Sequence, residues 1–152
     1  MGLAIPSFVR IRVSILLRNQ AGLVCLVRHK KADRRYWLLP GGGQEPFEPM
    51  EETAKRELEE EIRVKVSALN FIAIRESISR EENRHIQFPI FQGIKPDFSC
   101  MATGDDPRIE GIDFFHPDEL REISIFPNFG NDLIKLAKGE SIHLFKTLEW
   151  LP

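Results

Sequence analysis

Residues 37–64 read WLLPGGGQEPFEPMEETAKRELEEEIRV. A short apolar strand, expected over 36–39, stops at Pro40 and three glycines, Gly41, Gly42 and Gly43, and a helix is expected over 50–63. Pro49 suits a helix start, because a proline there gives up an N–H that the first turn leaves without a partner. Glu, Lys, Arg, Leu and Ala dominate residues 50–63, all good helix formers. At about 100° per residue, Met50, Ala54, Leu58 and Ile62 make one apolar stripe. Glu52, Lys55, Arg56, Glu59 and Arg63 fill the far side, with i,i+4 pairs Glu52–Arg56, Lys55–Glu59 and Glu59–Arg63 expected to support it.

Glu57, Glu60 and Glu61 fall on neither face. They share an arc beside the apolar stripe, with Glu61 almost in line with Met50 and Ala54. Glu57 meets Glu60 at i+3 and Glu61 at i+4, and each like-charge pair costs roughly 0.2–0.5 kcal/mol. Thr53 precedes Glu57 by four residues, so no local cation is expected for it. Carboxylates turned inward need positive compensation, and Mg²⁺ or Mn²⁺ prefers oxygen ligands. Alone, the cluster is equally well read as a solvated acidic helix face. The glycine loop just upstream shifts the balance, because glycines let a backbone approach phosphate oxygens and donate N–H groups to them.

Gly42, five residues, Glu48, seven residues, then Arg56-Glu57-Leu58-Glu59-Glu60-Glu61 and Val64 closely resembles the Nudix box. Residues 37–41 and 114–120, the latter FFHPDEL, resemble the flanks of that family. Two positions depart from the pattern. Arg63 stands where the family usually has glycine at the helix end, and Phe47 where a glycine commonly precedes the loop glutamate. Glycine is favoured at a helix end because that position often takes positive φ.

The resemblance implies an α/β fold, a Nudix-type α/β/α sandwich with a mixed central sheet. It implies metal ligation and catalysis by Glu57, Glu60 and Glu61, with the carbonyl of Gly41 or Gly42 completing the sphere. It also implies a structural pair between Arg56 and Glu48, with Glu45 joining the metal shell through water or standing as a plain loop charge. The activity implied is an Mg²⁺-dependent (Mn²⁺ possible) pyrophosphohydrolase cleaving a nucleoside diphosphate linked to another group. Divalent ions between carboxylates and phosphates would neutralise the substrate and acidify a water, and a carboxylate would take the proton. Family members differ in that base. Beyond the box, the candidates are Asp105, Asp106, Glu110 and Asp113, with Glu110 foremost.

Substrate contacts are expected from Gly42 and Gly43 and from Arg28 and Arg35. These arginines belong to a group with Lys30, Lys31 and Arg34 that only Asp33 opposes. A looser group comprises Arg75, Arg80, Arg84 and His85, and an arginine from either group suits a terminal phosphate. His29 and His85 have no metal-ligand spacing. The alternative reading is a catalytically silent Nudix-fold module that binds or senses a nucleotide. An isomerase would need further proton-transfer residues, and a structural protein would not account for the glycine spacing.

The rest of the chain sets limits. It has 152 residues with 21 basic and 23 acidic side chains, a near balance that argues against disorder. A pI near 6.1 argues against stable nucleic-acid binding. Two cysteines, Cys25 and Cys100, are too few for a disulfide framework. No apolar run is long enough to span a membrane; 13–17 ends at once in Arg18. Gly2 invites lipidation, but Pro6 breaks the motif. A single domain over 1–152, cytoplasmic, monomeric or homodimeric, is the expectation. Strands are expected over 8–18 and 23–27 as a hairpin, then a polar loop over 28–35. Further strands are expected over 64–75, 85–94 and 109–115, a short helix over 117–121, and a last helix over 131–138.

Overall fold

The computed structural model describes residues 8–150, so Gly2 and Pro6 lie outside the described residues. In chain order the elements are β1 (Arg10–Leu16), β2 (Val24–Lys31), β3 (Arg34–Leu38), β4 (Gly41–Gly43), α1 (Met50–Ile62), β5 (Ala68–Ser79), β6 (Arg84–Ile94), β7 (Ile109–Phe115), a 3-10 turn (Pro117–Glu122), α2 (Gly130–Ala137) and β8 (Phe145–Leu148). The first sheet runs β4-β1-β6-β5-β8 and is mixed: β1 is parallel to β6 and β5 to β8, while β4 and the β5–β6 pair are antiparallel. The second, β3-β2-β7, is antiparallel throughout.

β1 is central because both of its faces are apolar. Val13, Ile15 and Leu17 pack with Ala54, Leu58 and Ile62 of α1, while Leu16 turns the other way onto Leu133, Ile134 and Leu136 of α2. One helix on each side of a mixed sheet is the layered sandwich expected. No helix among the described residues is long and apolar enough to cross a membrane.

The expected 8–18/23–27 hairpin does not form. β1 and β2 belong to different sheets, and the segments that carry them pair only at an isolated bridge between Arg18 and Val24. Both edges of β1 are already taken by β4 and β6, so β2 must leave the plane. The turn expected at 20–22 is present: the Leu23 N–H donates to Asn19 Oδ1 at 2.9 Å, and Gly22 has φ 80°. Residues 28–35 are not a loop but the tip of the β2–β3 hairpin, turning at Ala32 (φ 54°). Their charges made the segment look solvated, yet one face of it carries His29, which is buried. β8 has no counterpart among the strands expected from the sequence. It is four residues long, paired on one side only, with three of the four exposed.

α1 ends at Ile62, and Arg63 adopts φ 56°, ψ 46°. Its N–H donates to Glu59 O at 3.1 Å, and the Val64 N–H reaches back to Leu58 O at 3.2 Å, which reverses the chain over the helix end. Phe47, the other departure, has φ 65° and a fully exposed ring. Both residues therefore take a conformation natural to glycine. A left-handed conformation costs an L-residue about 1–2 kcal/mol, and glycine's extra chain entropy returns roughly 0.5–1 kcal/mol of any gain. We predict that Arg63→Gly and Phe47→Gly each stabilise by about 0.5 kcal/mol, in thermal melts, and that Arg63→Gly leaves kcat/KM unchanged. A fall in melting temperature in both would refute the strain argument.

Candidate active site

The glycine loop lies flat against β1. Arg12, Val13 and Ser14 face Gly43, Gly42 and Gly41 in register, and the Ile15 N–H donates to Pro40 O at 2.8 Å. This approach needs glycine for clearance. A Cβ on Gly41 would overlap the Val13 carbonyl, and one on Gly42 would occupy the space of the Glu57 carboxylate. Glu57 is thereby pressed against the loop backbone, and burial pushes its pKa up, with Arg56 opposing.

Glu61 is buried as well, 7% exposed. It accepts from the Gly41 N–H at 3.1 Å, and its other oxygen lies 4.0 Å from the Arg12 guanidinium and 3.8 Å from His29 Nε2. Both groups stand beyond hydrogen-bond length, and His29 Nε2 is buried with no hydrogen-bond partner among the described residues. Arg12 donates to Leu39 O and Gly41 O at 3.3 and 3.2 Å, and burial lowers its pKa although Glu61 and Glu57 raise it. The sequence motifs do not single out Arg12. In β1, RIRVSIL, it is one of two arginines, and only its contacts set it apart from Arg10.

Arg56 organises the remainder. It donates to both oxygens of Glu48 at 2.8 and 2.9 Å, to Glu57 at 2.8 Å, to Glu60 at 3.3 Å and to Gly43 O at 3.0 Å. The expectation that Glu57 lacks a local cation is therefore corrected: the neighbouring arginine turns back onto it. That turn takes Arg56 away from the Glu52 pairing read from the helical wheel. Glu48 also accepts from Thr53 Oγ1 at 2.6 Å, and Arg56 together with Thr53 holds its pKa down at about 2. Glu60 is largely exposed. Glu45 meets Glu48 through its backbone, its N–H donating to Glu48 Oε1 at 3.3 Å and its carbonyl accepting from the Glu48 N–H at 3.1 Å. Among the described residues no three acidic, histidine or cysteine side chains are close enough to enclose an ion, and the Arg56 guanidinium spans Glu57 and Glu60.

The structure separates Glu110 from these carboxylates. Glu110 accepts from Arg35 Nε at 2.8 Å and lies 3.4 Å from Arg28 Nε, and Arg35 holds its pKa down. Arg28, stacked over Trp37 at 5.7 Å, pairs in register with Trp37, whereas His29 pairs with Tyr36. Side chains alternate across a strand, so Glu110 and Arg28 lie on the opposite sheet face from the histidine that touches Glu61. Asp106 is engaged by Arg108 at 2.7 Å, which holds its pKa at about 2. Asp105 and Asp113 are exposed. In the second basic group, Arg75 is fully buried and bound to Asp132 at 2.8 Å, and His85 is bound to Glu76 at 2.9 Å, so neither is free to clamp a phosphate.

From His29 an aromatic path leads outward. Ring centroids are 5.9 Å apart for His29–Tyr36, 5.8 Å for Tyr36–Phe126 and 5.5 Å for Phe126–Trp150. Tyr36, Phe126 and Trp150 line a cavity of about 700 Å³ together with Arg34, Arg35 and Arg84. The box glutamates do not line it; Tyr36, which does, is in ring contact with His29, 3.8 Å from Glu61. Residues 36, 126 and 150 are too far apart in sequence for spacing to have united them.

Residues 9–136 match the family model of the NUDIX domain. Among curated protein sequences none matches. Solved structures with the same fold include a MutT Nudix hydrolase from Burkholderia pseudomallei, 19% identical, covering 88% of this chain and 98% of that one with a TM-score of 0.72. A MutT protein from Bacillus halodurans is 19% identical and covers 94% and 91% at 0.75. One from Methanosarcina mazei is 20% identical and covers 91% and 97% at 0.70.

The Arg56–Glu48 contact has a stability signature. A carboxylate with a depressed folded pKa contributes stability that is present above its unfolded pKa, about 4.5, and is lost as pH falls toward about 2. We predict that Glu48→Gln lowers the melting temperature by several degrees at pH 7, with the gap to wild type closing below pH 4.5. With Arg56→Met it should form a non-additive cycle. Strict additivity of the two losses would remove the bridge as a stabilising pair.

Proposed function

The chain belongs to the Nudix family and is a Nudix hydrolase, and on that premise we propose that it is a divalent-metal-dependent pyrophosphohydrolase acting on a nucleoside diphosphate linked to another group. The observation that carries this reading is the pair of inward carboxylates, Glu57 and Glu61, held against the Gly41–Gly42 backbone, Glu57 sharing Arg56 with Glu48 and Glu60, and Glu61 with no cation in hydrogen-bond contact among the described residues. Uncompensated buried charge is expensive, and an all-oxygen set of Glu57, Glu60, Glu61 and the Gly41 carbonyl suits Mg²⁺ or Mn²⁺. The bound metal supplies charge neutralisation at the diphosphate and an acidified water.

The protein's own side chains do the rest. The Gly41 N–H orients the Glu61 carboxylate, and Arg12 and His29 stand beside it. Gly42 and Gly43 leave the loop open to phosphate oxygens. The proton acceptor belongs to the box glutamates, since Glu110 is bound by two arginines on the far sheet face. Both arginines of the pair proposed face Glu110, Arg35 at 2.8 Å and Arg28 at 3.4 Å; Arg35 also lines the cavity and is the substrate arginine of the two, whereas Arg28 lies over Trp37. Tyr36, Phe126 and Trp150 offer stacking faces to the non-phosphate part of the substrate.

One observation favours the silent module, namely the hold of Arg56 on both Glu57 and Glu60. Release of phosphate or pyrophosphate across dNTPs, ADP-ribose, nucleotide sugars and dinucleoside polyphosphates separates the two readings. We expect turnover that stops in excess chelator and returns with Mg²⁺ or Mn²⁺. Undiminished hydrolysis in chelator would end the metal mechanism, and ligand binding without turnover on any substrate would favour the module. Glu60→Gln and Glu61→Gln should each lower kcat by at least about 100-fold with little change in metal-free melting temperature. Near-normal kcat in both at saturating metal would refute their assignment.

A further inference from the structure

We propose that Gly104 is a positioning residue, setting where the last turn of α1 presents Glu60 and Glu61; the inference rests on the metal-binding reading of those glutamates. Residues 96–108 leave β6 and cross the C-terminal end of α1. The last carbonyls of a helix have no partner within it, and here the loop supplies two. The Ala102 N–H donates to Ile62 O at 3.1 Å and the Gly104 N–H to Glu61 O at 2.9 Å. At Gly104 the two backbones meet so closely that a Cβ would overlap the Glu60 carbonyl oxygen.

Gly104 is not among the residues with positive φ. Alanine is therefore acceptable to its conformation, and only the helix backbone excludes it. The loop is restrained on both sides of Gly104. The Asp97 N–H donates to Lys65 O at 2.8 Å on one side, and Arg108 O accepts from the Lys30 N–H at 2.8 Å on the other. The front of α1 is held separately, by Arg56 on Glu48 and Gly43 O and by Ala54 and Leu58 in the core. A methyl group at 104 therefore displaces the one turn that carries Glu60 and Glu61. A few tenths of an ångström there is felt at once by Glu61, whose contact with the Gly41 N–H is 3.1 Å long. Gly111 is the natural control, because a Cβ on it meets nothing within 4 Å.

The test compares wild type, Gly104→Ala and Gly111→Ala by Mn²⁺ affinity from the electron paramagnetic resonance of free Mn²⁺, by kcat and KM separately, and by metal-free melting. We expect Gly104→Ala to weaken Mn²⁺ binding and lower kcat by about 10-fold or more at little-changed KM, while Gly111→Ala matches wild type in all three. A Gly104→Ala protein that binds Mn²⁺ and turns over like wild type overturns the inference alone. A wild type that binds no Mn²⁺ overturns the metal reading and the inference with it. If Gly104→Ala does not fold, amide exchange of the wild type decides. Saturating Mg²⁺ should slow exchange of the Ala102 and Gly104 N–H groups several-fold, and unchanged exchange overturns the inference.

Discussion

A single guanidinium holds the site in register. Arg56 makes five hydrogen bonds, two to Glu48, one each to Glu57 and Glu60, and one to the Gly43 carbonyl. These acceptors lie on both sides of the loop-to-helix junction, so one planar group ties the glycine strand to the helix after it. Three carboxylates gathered at that distance would repel one another, and a fork with five fixed donors can meet them all where a lysine cannot. Arg56 is partly buried, and its pKa is raised chiefly by Glu48, with burial opposing.

Around this junction the glycines divide by what they are for. Gly41, Gly42 and Gly104 are needed for clearance: in each case a Cβ would run into a backbone carbonyl or the Glu57 carboxylate. Phe47 and Arg63 occupy positions where the family commonly uses glycine for conformation, and both keep positive φ without it. A torsional penalty is roughly 1–2 kcal/mol and is tolerable. A steric overlap with backbone moves the site itself. The two departures from the Nudix box therefore leave its geometry intact, since neither removes clearance from the carboxylates.

What could be read from the sequence was what local periodicity and punctuation encode. The 50–63 helix came within one residue of its end, its Ala54, Leu58 and Ile62 stripe is fully buried, and the strand over 109–115 has the bounds expected. Pro117 and Gly139 marked where the short helical segments begin and end. Pairing was not legible, because strand order depends on which edges are already taken. β1 is parallel to β6, seventy-odd residues on, and not to the strand next in the chain. β8 was invisible for the opposite reason, being short and mostly exposed, held by its pairing with β5 and by one buried side chain, Leu148. Arg12 and the aromatic path through residues 29, 36, 126 and 150 depend on contacts between distant segments, which no spacing rule reaches.

The basic stretch at 28–35 shows how the pleat converts composition into chemistry. As a string it is one cluster of cations with a histidine among them. As a hairpin it is two populations, because successive side chains of a strand point to opposite faces. Arg28 goes to the Trp37 face, where Arg35 also reaches Glu110, and that acid is consumed by structural pairing. His29 goes to the other face, where it meets Glu61 and Tyr36 and begins the aromatic path. A one-residue shift in register would exchange the two populations, placing Arg28 against Glu61 and neutralising the carboxylate that this site keeps short of positive charge. The buried Val27 beside His29 opposes that slip, since it would have to leave the α1-side core. The hydrophobic pattern of β2 thus fixes that His29, and not Arg28, is the side chain of this strand that Glu61 meets.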